Sequence, residues 1–99
     1  MLLDRGLDTG PVLTRGQIPI SAQDTTGTLT TKLSLIAARL LPEVLVYWPR
    51  GELTPQPQDE SKATYSHPIT KEQGEIDWRL SATEIWRRVR AFQPWPGSY

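Results

Sequence analysis

Nine prolines in 99 residues cut this chain into short pieces. Each proline removes a backbone donor and disfavours helix at the residue before it, so it ends or bends the element it meets. Apolar residues make up 37% of the chain, which is low for a self-sufficient core. The length suits one small domain, or the end of one domain and the start of another.

Residues 1–4 read as the end of a buried strand entered directly at Met1, so the chain is expected to be a piece of something longer. Residues 11–20 read as a second strand, interrupted at Gly16 and closed near Pro19. Asp24 and Thr25 supply helix-start chemistry before Thr28. Leu29, Leu33, Ile36 and Leu40 then recur at helical spacing and define one apolar face, suited to packing on a sheet. Pro42 reads as a break, with a second short helix after it through Tyr47 and Trp48 that Pro49 and Gly51 end. Residues 52–75 are rich in proline, glutamine and acid, and read as an extended, semi-rigid linker. Tyr65, Ile69 and Ile76 are isolated apolar points along it. Ser81 and Glu84 form a capping box, and Ile85, Val89 and Phe92 the buried stripe of a helix ending near Phe92.

One turn stands out chemically. Residues 6–10 read Gly-Leu-Asp-Thr-Gly, between apolar Leu2 and Leu3 on one side and Val12 and Leu13 on the other. Gly6 and Gly10 allow a sharp bend and close backbone approach, and Pro11 fixes the exit. Two readings of Asp8 fit this pattern: an Asx-turn that caps its own backbone, or a working carboxylate held on a loop.

With no cysteine, disulfides and thiolate chemistry are excluded. The one histidine, His67, cannot build a metal cluster alone and reads as a solvated loop residue. The net charge is zero, so the chain as a whole is not an electrostatic nucleic-acid binder. The distribution is uneven: residues 51–77 carry two basic and six acidic side chains, residues 78–99 four arginines and one glutamate. Arg87, Arg88 and Arg90 lie off the apolar stripe, as a solvated face would. No stretch is long and apolar enough to span a membrane, and the start Met-Leu-Leu-Asp-Arg lacks the order of a secretory leader. The expected location is cytoplasmic.

The turn Asp4-Arg-Gly-Leu-Asp-Thr-Gly-Pro11 resembles the active-site loop of the folate-dependent formyltransferases. The helical segment Asp24-Thr-Thr-Gly-Thr-Leu-Thr-Thr-Lys-Leu33 is similar to the stretch downstream of that loop in them. Ile76-Asp-Trp78 and Arg90-Ala-Phe-Gln-Pro-Trp-Pro-Gly97 are similar to the junction into the C-terminal domain of the branch that acts on initiator tRNA. Glycinamide ribonucleotide formyltransferases carry a similar loop without the Ile-Asp-Trp linker. Formyltetrahydrofolate dehydrogenases and sugar-nucleotide formyltransferases carry a related linker but differ after the helix arginine.

The resemblance implies an α/β fold: residues 1–50 as the end of a Rossmann-like formyltransferase domain, 51–77 as a linker, and 78–99 as the first helix of a C-terminal, OB-like β-barrel domain. It implies that 10-formyltetrahydrofolate, with no metal, gives its formyl group to the α-amino group of methionyl initiator tRNA, in a monomeric enzyme. Asp8 matches the family's catalytic aspartate, which orients a histidine and supports proton transfer. Asp4, Arg5, Gly6 and Leu7 match a loop whose backbone contacts the pterin. The family's asparagine and histidine are expected upstream of Met1, and Met1 is expected to match an internal methionine. His67 does not match that histidine. The isolated chain is therefore expected to be inactive.

Two other readings stay open at this level. Leu-Asp-Thr-Gly is also the loop of small dimeric aspartic proteases, which pair two such acids. Those proteases carry about two strands before the loop and almost no helix, unlike this chain. Residues 78–99, with Trp78, Trp86 and Trp95, could alternatively bind RNA as a non-catalytic module. The same tryptophans would also pack the start of a β-domain, which suits Trp95 between two prolines.

Overall fold

Thr26–Tyr47 form one unbroken helix, α1, in a computed structural model that describes residues 1–99. Its start is built by two threonines. Thr25 N–H donates to Thr28 Oγ1 (2.9 Å) and Thr28 N–H donates back to Thr25 Oγ1 (3.2 Å), so donors that have no partner inside the helix are satisfied reciprocally. The expected break at Pro42 does not occur, and no separate second helix forms. Pro42 forfeits its own N–H bond to the carbonyl four residues back, at a cost of about 3 kcal/mol. Leu40, Leu41, Glu43 and Leu45 around it are strong helix formers, and their combined preference carries the helix through. It ends where expected. Trp48 N–H still reaches the Val44 carbonyl (2.9 Å), and Gly51 then takes φ +70°, the left-handed conformation that glycine adopts freely.

Neither expected strand forms. Residues 1–4 and 11–20 have no ladder partner, and the chain contains one isolated antiparallel bridge, Val12 with Gln56, made by two N–H···O bonds of 2.8 and 2.9 Å. Apolar alternation marks residues fit for a sheet, but a strand exists only where another backbone lies alongside.

The second α-helix, α2, spans Ala82–Ala91. Its capping box is present as the sequence predicts. Ser81 Oγ accepts from Glu84 N–H (3.3 Å), while Ser81 N–H donates to Glu84 Oε2 (3.0 Å). The Ser81 hydroxyl also donates to Glu84 Oε2 (2.6 Å), and this bond first, then that from the Ser81 amide, holds the Glu84 carboxyl below its ordinary range. Two short 3₁₀ turns, Glu60–Lys62 and Lys71–Gly74, punctuate the mostly exposed segment between the helices.

The chain divides into two compact units. The first joins Met1–Ile18 to Ser34–Tyr65, and the second joins Pro19–Leu33 to Ser66–Tyr99. In the first, the extended segment lies against α1 so closely that a Cβ on Gly16 would collide with Ile36. In the second, the chain end pairs with the segment before α2: Ile76 N–H donates to the Tyr99 carbonyl (2.8 Å) and Tyr99 N–H to the Gly74 carbonyl (3.1 Å).

No apolar side chain is fully buried. Leu29, Ile36 and Leu40 of the expected α1 stripe are half-buried, with Val44, while Leu33 is exposed. On α2, Ile85 and Phe92 are half-buried and line a small cavity with Val89, Leu80 and Ile76. Neither helix is long and apolar enough to cross a membrane.

Candidate active-site loop

The Asx-turn that sequence allowed at Asp8 forms at Asp4 instead. Asp4 Oδ1 accepts the Gly6 N–H (3.0 Å) and the Thr9 hydroxyl (2.6 Å), so this carboxylate is spent on folding the loop. Leu2 N–H donates to the Pro11 carbonyl (2.9 Å) and closes the loop at its base. Gly10 is buried there, and a Cβ on it would fall on the Leu2 carbonyl oxygen. Only glycine permits that approach.

Asp8 sits at the far side of the loop with φ 55°, the one non-glycine residue in the left-handed region. Aspartate visits this region more readily than most residues, at some local cost. Its side chain is exposed and hydrogen-bonds to nothing in the chain. Its carbonyl is held. Gln58 Nε2 donates to Asp8 O (2.8 Å) and to Gly10 O (2.7 Å). Arg5 and Leu7 are exposed on the same loop.

The loop thus brings Asp4, Arg5, Gly6, Leu7 and Asp8 together, with Asp4 engaged in the turn and no histidine beside Asp8. The chain has no asparagine, and His67, its one histidine, is exposed in the second unit.

Two structural features escaped the sequence. Gln58 is one; a glutamine between a proline and an aspartate in a polar stretch carries no signal of its own. The other is Asp24, read only as helix-start chemistry, which is the most shielded side chain in the protein at 5% exposure. Its Oδ1 accepts from Lys32 Nζ (2.6 Å) and the Thr28 hydroxyl (3.0 Å), and Oδ2 from Ser21 N–H (2.8 Å). The Lys32 ammonium foremost, then the Ser21 amide, hold this carboxyl far below the usual carboxylate range. Arg90 completes the cluster and so leaves the solvated face expected for it. Its Nη1 donates to the carbonyls of Asp24 (2.8 Å) and Ser21 (3.2 Å), and its guanidinium stacks on Trp86 at 3.9 Å. Arg87 and Arg88 stay exposed.

Known proteins share this sequence in two ways. Residues 68–99 match the formyl transferase C-terminal domain family. All 99 residues align with a methionyl-tRNA formyltransferase of Marinobacter nauticus at 43% identity, covering 32% of that protein. A methionyl-tRNA formyltransferase of Chloroflexus aurantiacus is 46% identical over 99 residues, 32% of its length. One from Dehalococcoides mccartyi is 50% identical over 101 aligned positions, 31% of its length. The chain spans about a third of the length of the curated relatives it matches. From its first residue to its last, the chain is similar to about a third of a methionyl-tRNA formyltransferase, and its residues 68–99 match the formyl transferase C-terminal domain.

Proposed function

We propose that this chain is part of an enzyme that transfers the formyl group of 10-formyltetrahydrofolate to the α-amino group of methionyl initiator tRNA. The amine attacks the formyl carbon, a tetrahedral oxyanion forms, the nitrogen loses its proton, and tetrahydrofolate leaves. Asp8 would orient a histidine from another part of the enzyme and stabilise the positive charge that develops on it as the proton moves. The observation that carries this reading is a carboxylate without an intramolecular partner, on a loop whose backbone is held at the Asp8 and Gly10 carbonyls. A turn-capping aspartate would accept a nearby backbone N–H, as Asp4 Oδ1 does from Gly6.

The folate donor fits this loop through backbone and apolar surface. The Asp4 carboxylate shapes the turn, which leaves the exposed strip of Arg5 and Leu7 to lie along a pterin. For the acceptor, the exposed Arg87 and Arg88 on α2 are suited to phosphate contacts. The wider architecture in this proposal is the α/β one: residues 1–50 completing a Rossmann-like domain, 51–77 linking, and 78–99 opening an OB-like barrel, in a monomeric cytoplasmic enzyme.

The test is a chimera. Residues 1–99 replace the matched third of the Marinobacter nauticus relative, and formylation of methionyl initiator tRNA is measured. Turnover near that of the unaltered relative supports the proposal. A chimera that folds, by circular dichroism and melting, yet does not turn over overturns it.

A further inference from the structure

We propose that Gln58 is a positioning residue, which sets the direction of the Asp8 carboxylate by clamping the backbone on either side of Thr9. This rests on the reading of Asp8 given above.

Gln58 Nε2 has three acceptor-only neighbours, the carbonyls of Asp8 (2.8 Å) and Gly10 (2.7 Å) at short range and Met1 Sδ (3.9 Å) farther off. An amide nitrogen carries two hydrogens, one for each carbonyl, whereas the amide oxygen would meet both carbonyls with nothing to donate. The chemistry therefore fixes which way the amide faces. Holding the Asp8 carbonyl fixes the peptide plane on the C-terminal side of Asp8. With φ already at 55°, both backbone torsions of that residue are set, and the side chain leaves the loop in one direction.

The clamp is itself anchored. Gln56 pairs with Val12 through two backbone bonds of 2.8 and 2.9 Å. Pro57 comes next with its φ locked near −65°, and it confines Gln56 to extended backbone. Gln58 thus projects from a bridge that already grips the exit of the loop. The Pro-Gln-Pro-Gln run at 55–58, stiff in composition, acts as a brace for the loop rather than as a spacer.

A positioning residue acts on chemistry more than on substrate binding, because a misdirected catalytic group costs rate in the step it serves. In the chimera, Gln58→Leu keeps the bulk and removes the donor. Gln58→Glu keeps the shape and sets an anion against two carbonyls. Gln58→Lys returns donors on a stem one atom longer. The expected result is a fall in kcat of about tenfold to a hundredfold for Gln58→Leu and Gln58→Glu, with KM for both substrates and Tm unchanged, and recovery in Gln58→Lys. Asp8→Asn is the reference. If Gln58→Leu keeps kcat within about twofold of the parent while Asp8→Asn is inactive, Gln58 does not position Asp8 and the inference fails alone. If kcat and Tm fall together in Gln58→Leu and Gln58→Glu, and Gln58→Lys restores neither, the glutamine is merely structural and the inference also fails. If Asp8→Asn retains turnover, or the folded parent chimera has none, the reading of Asp8 falls and this inference with it.

Discussion

Lys32 closes on Asp24 at 2.6 Å, joining the first half of α1 to the turn just ahead of it. Half of the lysine side chain is exposed and almost none of the aspartate is. The carboxylate is therefore the partner whose ionisation is tied to folding. Its pKa lies below the reference value of 3.8 in the folded state. The stability that it supplies is present in full above that value, and is lost as pH falls below it, when the unfolded chain takes up the proton first. In the chimera, Asp24→Asn should lower Tm at pH 7, and the gap to the parent should narrow progressively below pH 3.8. A gap that persists unchanged down to about pH 3 would mean that the charge of Asp24 contributes nothing.

Asp8→Asn should remove activity and leave the fold alone. The side chain is exposed and unbonded, and asparagine also tolerates the left-handed backbone at φ 55°. A loss of about three orders of magnitude in kcat is the scale for an orienting carboxylate. Steady-state kinetics with a melting curve decides: an unfolded variant, or one of near-normal turnover, makes Asp8 a turn residue.

Gly10→Ala tests the base of the loop. The added Cβ would overlap the Leu2 carbonyl, a backbone atom that cannot rotate away. Overpacking of this kind costs about 1–3 kcal/mol. Faster amide exchange at Leu2, whose N–H closes the loop onto Pro11, should accompany the lower Tm. Unchanged exchange at Leu2 would show that the loop does not need this approach.

The 99 residues alone should show no formyl transfer. The loop leaves one acid, Asp8, free of turn contacts, no asparagine is present, and the single histidine belongs to the other unit. A catalytic constellation reduced to one member loses most of its rate. Turnover above a protein-free control in the same tRNA assay would require an acid–base partner that the loop lacks.

What could be read from the sequence was what is decided locally. The Ser81–Glu84 cap and the helix behind it depend on residues three and four apart, so they were legible. Pro42 misled because a single strong breaker was weighed against its neighbours one at a time, when a helix sums them. The strands misled for the opposite reason: residues 1–4 and 11–20 have the composition of strands, but pairing depends on a second backbone. Asp24 and Gln58 were invisible for a related cause. Asp24 owes its shielding to Lys32 and Arg90, and Gln58 its importance to carbonyls some fifty residues earlier in sequence. Asp4 and Asp8 looked alike as turn acids, and only geometry separates the one that folds the loop from the one left free.

The absence of any fully buried apolar side chain has a calorimetric consequence. The rise in heat capacity on unfolding comes mainly from hydrocarbon newly wetted, and exposure of polar groups subtracts from it. A chain whose best-shielded group is a carboxylate has little hydrocarbon left to wet. Its free energy should therefore change little with temperature around its maximum and its denaturant dependence should be shallow.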